Sequence, residues 1–524
     1  MSISGEAIIG GAHERGTAGS FKAWAPFLRD YLEPSFHMVD ADQIDRACRL
    51  AGEAFDVFRA TSDEQRARFL ESVAEQIMLL GDELIERAMA ESGLPRVRLE
   101  GERARTYNQL RMFAELLREG SWRDARLDTP LPERTPPRPD LRYHLIGVGP
   151  VAVFAASNFP LAFSVAGGDT ASAFAAGCPV VLKAHSSHPG TSELVARAVT
   201  RAVRQCELPA GVFSLLTGSG SRIGQALVAH PAIQAVGFTG SRGGGTALMA
   251  VAAARRQPIP VYAEMSSINP VFLMPHALEH RAEEIGKGFA ASLVLGVGQF
   301  CTNPGLVLAI DGPGLATFCK TAQEALETTG AAVMLNQNIA ESYRKGVDAL
   351  AGNEAVETLA RLEHGEGRGA AALFRVSADA FLERHELHEE VFGPASLVVA
   401  CRDAAQMRAV VEVLEGQLTA TLQMDPEDHT DARALLPLLE RKVGRILANG
   451  YPTGVEVSTA MVHGGPFPAT ADGRSTSVGT GAIARFLRPV CYQNLPQELL
   501  PEPLRDGNPR GIWRRQDGAL TKAH

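Results

Sequence analysis

The chain has 524 residues, too many for one hydrophobic core and enough for two or three domains. Its 45% hydrophobic and 21% charged residues are ordinary for a globular protein, and a net charge of −9 with a pI near 5.9 argues against nucleic-acid or membrane-surface binding. No apolar run reaches the roughly 20 residues that span a bilayer, and seven scattered cysteines without a CxxC pair suggest neither a metal site nor a disulfide framework. The amino-terminal stretch carries no cationic, apolar signal pattern, so a reduced, cytoplasmic setting is expected.

Residues 1–36 are Gly-rich with few periodic signals. From 41 to about 118 the pattern is helical. Ser62 and Gln65 form a capping box ahead of a stripe of Phe69, Leu70, Val73, Ile77 and Leu80, and a third helix is expected over 100–118. The proline-rich stretch 122–142 cannot sit inside a sheet; it reads as a linker or as an arm to another subunit. Apolar runs at 148–155, 179–183, 212–216 and 235–238 read as strands, with helices over 161–176, over 192–205 and after each later strand. This alternation implies a parallel α/β sheet with right-handed crossovers. Beyond 270 the texture repeats, with helices near 279–296, 314–328 and 339–352, a strand at 395–400 and a helix at 404–415. Residues 449–481, rich in Gly, Thr, Ser and Pro, look like a functional loop region, and the polar tail beyond 501 is expected to pack loosely.

Chemistry concentrates around Cys301, which sits among Gly296, Gly298 and Gly305 with amides at Gln299 and Asn303. Glycines admit a close second molecule, and amides stabilise developing negative charge, which a thiolate nucleophile needs. A lone cysteine is as readily a small core residue; the surrounding motifs decide for the nucleophile. Gly218-Ser-Gly-Ser-Arg-Ile-Gly224 and Gly240-Ser-Arg-Gly-Gly-Gly245 each follow a strand and could turn backbone N–H groups toward a phosphate. Read alone, each is equally a plain αβ turn. No acidic residue lies between Leu208 and Ala263, although an NAD site ordinarily uses one on the ribose. Lys183, Ser186 and Arg222 suit a 2′-phosphate instead, which favours NADP.

Six motifs in order complete the picture: Asn158-Phe-Pro160, Val181-Leu-Lys183, Gly237-Phe-Thr-Gly-Ser241, Glu264 with Asn269-Pro270, Gly298-Gln-Phe-Cys301 and Glu389-Glu-Val-Phe-Gly-Pro394. Together they resemble the aldehyde dehydrogenase superfamily over about residues 40–495. The runs 155–169, 263–270 and 298–305 are similar to its branch that oxidises α-ketoglutaric semialdehyde (2,5-dioxovalerate). The resemblance implies an α/β fold with a Rossmann-type cofactor domain (1–127 and 147–264), an α/β catalytic domain (265–462), a bridging oligomerisation arm (128–146 and 484–498) and a polar tail (499–524).

It also implies a reaction. The Cys301 thiolate attacks an aldehyde, Asn158 and the Cys301 N–H hold the oxyanion, hydride leaves to the nicotinamide, and Glu264 activates the water that hydrolyses the thioester. Lys183 and Glu390 fall where the family holds ribose hydroxyls, Phe392 beside the nicotinamide, and Gly240 and Ser241 by the pyrophosphate. Ser157, the run Met265-Ser-Ser-Ile268 and Ser186 depart from the common pattern; Ser186 replaces the NAD-type acid and points to NADP, with NAD a second cofactor. Residues expected in loops near the substrate's carboxylate end are Thr302, Ser458, Thr459, Arg474, Ser475 and Thr476. The implied product is 2-oxoglutarate and the implied assembly a homodimer or homotetramer.

Competing readings are a broad medium-chain or fatty aldehyde dehydrogenase, a cofactor-independent thiol hydrolase with a Cys–His pair, and a silent homologue. The histidines nearest in sequence, His276 and His280, form no Cys–His motif, although folding could bring a distant one near.

Overall fold

Short apolar strands alternating with helices build two seven-stranded sheets in the computed structural model, which describes residues 3–523. Residues 1–2 and 524, at the ends of the expected terminal segments, lie outside them. Across the first sheet run Val261–Glu264, Ala235–Thr239, Val151–Phe154, Val180–Lys183, Phe213–Leu216, Ala7–Ile9 and Ala12–Glu14. The first five are mutually parallel and the last two antiparallel. Chain order reverses between Val151–Phe154 and Ala235–Thr239, the kind of switch point where open α/β sheets bind ligands at their strands' carboxyl ends. The Gly-rich amino terminus is thus strand-forming: besides two sheet strands it makes the hairpin Ser20–Ala25 and Asp30–His37.

The Ser62 capping box forms, opening the helix Asp63–Met78 with Phe69, Leu70, Val73 and Ile77 buried. Phe69 meets Phe58 and Phe174 edge-on, and Phe174 meets Phe213 in turn. The helix expected over 161–176 is shorter, Gly168–Ala175. The buried Glu102 carboxylate accepts the N–H groups of Leu161 and Ala162 at 2.7 and 3.0 Å, which holds that segment in a turn.

The second sheet orders Glu357–Arg361, Ala372–Ser377, Ala395–Cys401, Leu306–Ile310, Pro270–Leu273, Gln417–Gln423 and Val443–Ala448; all neighbours are parallel except the first pair. A third sheet orders Leu487–Gln493, Leu141–Gly147, Arg126–Asp128, Arg514–Gln516 and Ala519–Thr521. The proline-rich stretch therefore has strand at both ends, and its prolines at 130, 132, 136, 137 and 139 fall between them. The tail does not pack loosely. Leu504, Asn508, Ile512 and Arg514 are buried, and Arg510 reaches the buried Asp63 at 3.0 Å.

Candidate active site

Cys301 follows a tight turn in which Gly296, Val297 and Gly298 all have positive φ. A Cβ on Gly298 would stand 2.3 Å from the Gly393–Pro394 backbone, so only glycine lets the Cys301 loop press against the Glu390–Pro394 segment. Asn303 Nδ2 donates to Gly393 O (3.0 Å), and Asn269 Nδ2 donates to Cys301 O (2.9 Å), fixing the loop from both sides.

Glu264 stands at the carboxyl end of Val261–Glu264, buried to 4% exposure. Backbone bonds Met265 N to Ala469 O and Ala471 N to Ala263 O, both 2.8 Å, bind the 463–477 loop to this strand end. That loop delivers a residue the sequence did not single out. His463, fully buried, places Nε2 2.8 Å from Glu264 Oε1 and 3.4 Å from Cys301 Sγ. Ser477 Oγ donates to the other carboxylate oxygen at 3.0 Å. Ligand atoms of Glu264, Cys301 and His463 lie within 4.8 Å of one another.

The electrostatics are opposed across this cluster. Burial lifts the Glu264 carboxyl, but the His463 charge and hydrogen bonds from His463, Ser477 and Cys301 outweigh it and hold the group below its ordinary value. Burial, then the neighbouring Glu264 charge, pushes the Cys301 thiol well above its usual range. At rest the sulfur therefore carries its proton.

Asn158 is buried just after Val151–Phe154, its Nδ2 donating to Gln299 O at 3.1 Å. The Cys301 N–H has no acceptor among the described residues. On the other side of Cys301, Phe159, Phe163 and Phe300 form an aromatic cluster. Arg98, from the helix Arg96–Glu119, lies 4.6 and 4.5 Å over the Phe159 and Phe300 rings; Arg105 lies 5.2 Å over Phe163, with Nε and Nη2 buried and unpartnered. Of the expected loop residues, Arg474 points outward to Asp472, Thr302 is buried, and Thr476 Oγ1 accepts the His463 N–H.

Cys301, Glu264 and Asn158 line a cleft of ≈ 840 Å³ whose walls come from the units of both large sheets. Ser186, Gly240, Ser241, Glu390 and Phe392 line it as well. Ser241 caps the helix Arg242–Ala253, accepting from Gly244 N. Burial pushes the Glu390 carboxyl up to about 8 against hydrogen bonds from Ser266 and Ser267. Lys183 is 6% exposed and its ammonium makes no hydrogen bond or ion pair among the described residues; desolvation pushes it down to about 8. An unpaired buried ammonium at a strand end, beside a capped helix and serine hydroxyls, fits a polyhydroxyl and phosphate-bearing ligand such as a nicotinamide dinucleotide. Arg222 stands exposed on the first turn of Gly220–Ala229, outside the cleft lining. No helix among the described residues is long and apolar enough to cross a membrane.

Residues 16–466 match the Aldehyde dehydrogenase family. The chain is 58% identical over 522 residues to alpha-ketoglutaric semialdehyde dehydrogenase 2 of Azospirillum brasilense, covering 99% of each chain. It is 52% identical to alpha-ketoglutaric semialdehyde dehydrogenase of Acinetobacter baylyi over 93% of each. Its fold superposes on 3,6-anhydro-L-galactose dehydrogenase with a TM-score of 0.79 at 22% identity, over 93% of this chain and 99% of that one.

Proposed function

The chain belongs to the aldehyde dehydrogenase family, and on that premise we propose that Cys301 oxidises α-ketoglutaric semialdehyde to 2-oxoglutarate through a covalent thiohemiacetal and thioester. The chain is an aldehyde-oxidising oxidoreductase that uses a nicotinamide dinucleotide. The observation that carries the mechanism is the convergence of Cys301 Sγ and Glu264 Oε1 on His463 Nε2, at 3.4 and 2.8 Å, where they line the cleft. A thiol held protonated must lose its proton to react, and the Glu264 carboxylate hydrogen-bonded to it stands ready to take that proton and pass it to solvent before hydrolysis. The sulfur then bonds to the aldehyde carbon. Asn158 Nδ2 turns from Gln299 O to the new oxyanion, and the free Cys301 N–H supplies a second donor. A nicotinamide dinucleotide held by the cleft residues would supply the hydride acceptor for this carbon. Glu264, acidic enough to be ionised and oriented by Ser477, removes a proton from the water that cleaves the thioester, returning the thiol and releasing a carboxylate.

Substrate choice rests on the two semialdehyde dehydrogenase relatives and on Arg98 and Arg105, whose charges serve a substrate bearing a carboxylate. Lys183 and Glu390 would hold ribose hydroxyls, Phe392 would flank the nicotinamide, and Gly240 and Ser241 would meet the pyrophosphate. Ser186, in the lining where an NAD site ordinarily carries an acid, favours NADP over NAD, while Arg222 stands outside the lining. The same reading makes 1–127 and 147–264 the cofactor-binding unit, 265–462 the catalytic unit, and 128–146 with 484–498 the surface of a cytoplasmic homodimer or homotetramer.

The test follows absorbance of the reduced nicotinamide with α-ketoglutaric semialdehyde or hexanal, each with NADP and NAD. We expect the semialdehyde with NADP to be fastest and Cys301→Ala to abolish the signal. Preference for hexanal would move the protein to the fatty-aldehyde reading; no reduction with either aldehyde would sink the dehydrogenase.

A further inference from the structure

We propose that Lys22, on the amino-terminal hairpin, is the cation that holds the 2′-phosphate of a bound dinucleotide, and that it sets the preference for NADP over NAD. The inference rests on reading the cleft as a dinucleotide site and names a residue that neither the motifs nor the relatives assign. Among the described residues lining the cleft, Lys22 is the only lysine or arginine, whereas two carboxylates, Glu264 and Glu390, also face it. An anionic ligand entering this space finds its positive partner on the hairpin or nowhere in the lining.

The hairpin is fixed where such a partner is needed. At its base, Thr217 Oγ1 donates to His37 O (2.6 Å) and Val39 N donates to Thr217 O (3.0 Å), which ties it to the turn that opens the helix Gly220–Ala229. At its other end Trp24 lines the cleft beside Asn336, whose Nδ2 donates to Ser187 Oγ at 3.0 Å. Lys22 lies on the strand between these anchors and lines the same cleft as Ser186. Its present partner is Glu33 on the paired strand, largely exposed, and such a surface pair exchanges readily for a phosphate.

The alternatives are poorer. Lys183 is buried behind the lining, and desolvation to about 8 removes much of its charge near that pH. It suits neutral hydroxyls better than a dianion. Arg222 faces solvent outside the lining.

Isothermal calorimetry with NADP, NAD, 2′,5′-ADP and 5′-AMP tests the assignment. Lys22→Gln should weaken NADP and 2′,5′-ADP by about tenfold, the loss of one charged hydrogen bond, while NAD and 5′-AMP change less than twofold and the thermal midpoint holds. Lys22→Arg should retain NADP binding. Equal shifts for phosphorylated and unphosphorylated ligands, or none, would overturn the role of Lys22, as would Arg222→Gln producing the discrimination instead. A wild-type protein that binds no dinucleotide overturns the reading of the cleft itself, and Lys22 with it; wild-type binding that Lys22→Gln leaves unaltered removes Lys22 alone.

Discussion

Cys301 is surrounded by groups that both suppress and serve its reactivity. Burial and the Glu264 charge keep the sulfur protonated, which protects it from chance electrophiles until substrate arrives. Removing that charge should therefore activate the thiol while disabling turnover. In Glu264→Gln we expect alkylation of Cys301 by iodoacetamide, followed by mass spectrometry of its peptide, to run several-fold faster at pH 7–8 than in the wild type. Aldehyde oxidation should fall by about 10²-fold or more, the usual weight of a lost general base. Because the wild-type thiol sits well above 9.0, its alkylation should still be climbing at pH 9, and the variant's curve should lie at lower pH. Slower alkylation in the variant would mean that the Glu264 charge does not hold the thiol's proton on, and would overturn this account of its suppression. The sequence made Cys301, Glu264 and Asn158 legible because short motifs carry them. It did not reveal His463, which lies in a region already marked as a functional loop but far from Cys301 in the chain; only the pairing of Glu264 with the 463–477 loop joins them.

Helix Asp63–Met78 shows how one element can organise others. Its buried first residue, Asp63, receives Arg66 at 3.0 Å, Arg123 at 2.6 Å and Arg510 at 3.0 Å, and Trp122 lies under both Arg66 and Arg123. Burial raises the Asp63 carboxyl, and the arginines more than reverse this, holding it below 3.8. Its contribution is therefore complete above that value and disappears as pH falls below it. Asp63→Asn should cost about 3–5 kcal/mol at pH 7, since it leaves buried cations uncompensated; urea denaturation at pH 7 and again near pH 3 should show the gap closing in acid. A gap unchanged between the two would refute the ionic account. The capping box was readable because its two side chains are three residues apart. The tail was not, since polar composition says nothing about a distant acid waiting for Arg510. The overlong 161–176 helix failed for a similar reason: local composition does not show that Glu102, from another helix, will pin the Leu161 and Ala162 N–H groups in a turn.

At the scale of the molecule, the parallel strands deliver Lys183, Thr239 and Glu264 at their carboxyl ends, so alternation and order alone locate the cleft. The third sheet ends on Leu487–Gln493, whose outer edge pairs with nothing among the described residues. An edge of seven residues invites a second copy. We expect sedimentation to give a dimer or tetramer and hydrogen exchange to find the 487–493 amides protected on both edges, with half of that protection lost on dilution. A monomer at all concentrations would exclude the assembly.

Two acids of the first half of the chain meet their arginines only near its end: Asp169 is bound by Arg485 at 2.6 Å, and Asp63 completes its set with Arg510. During synthesis, Asp169 waits for more than half of the protein to be made. A nascent chain stalled before residue 485 lacks the counter-charge for Asp169, so we expect complete closure of the first sheet and its helices to wait for the last segment.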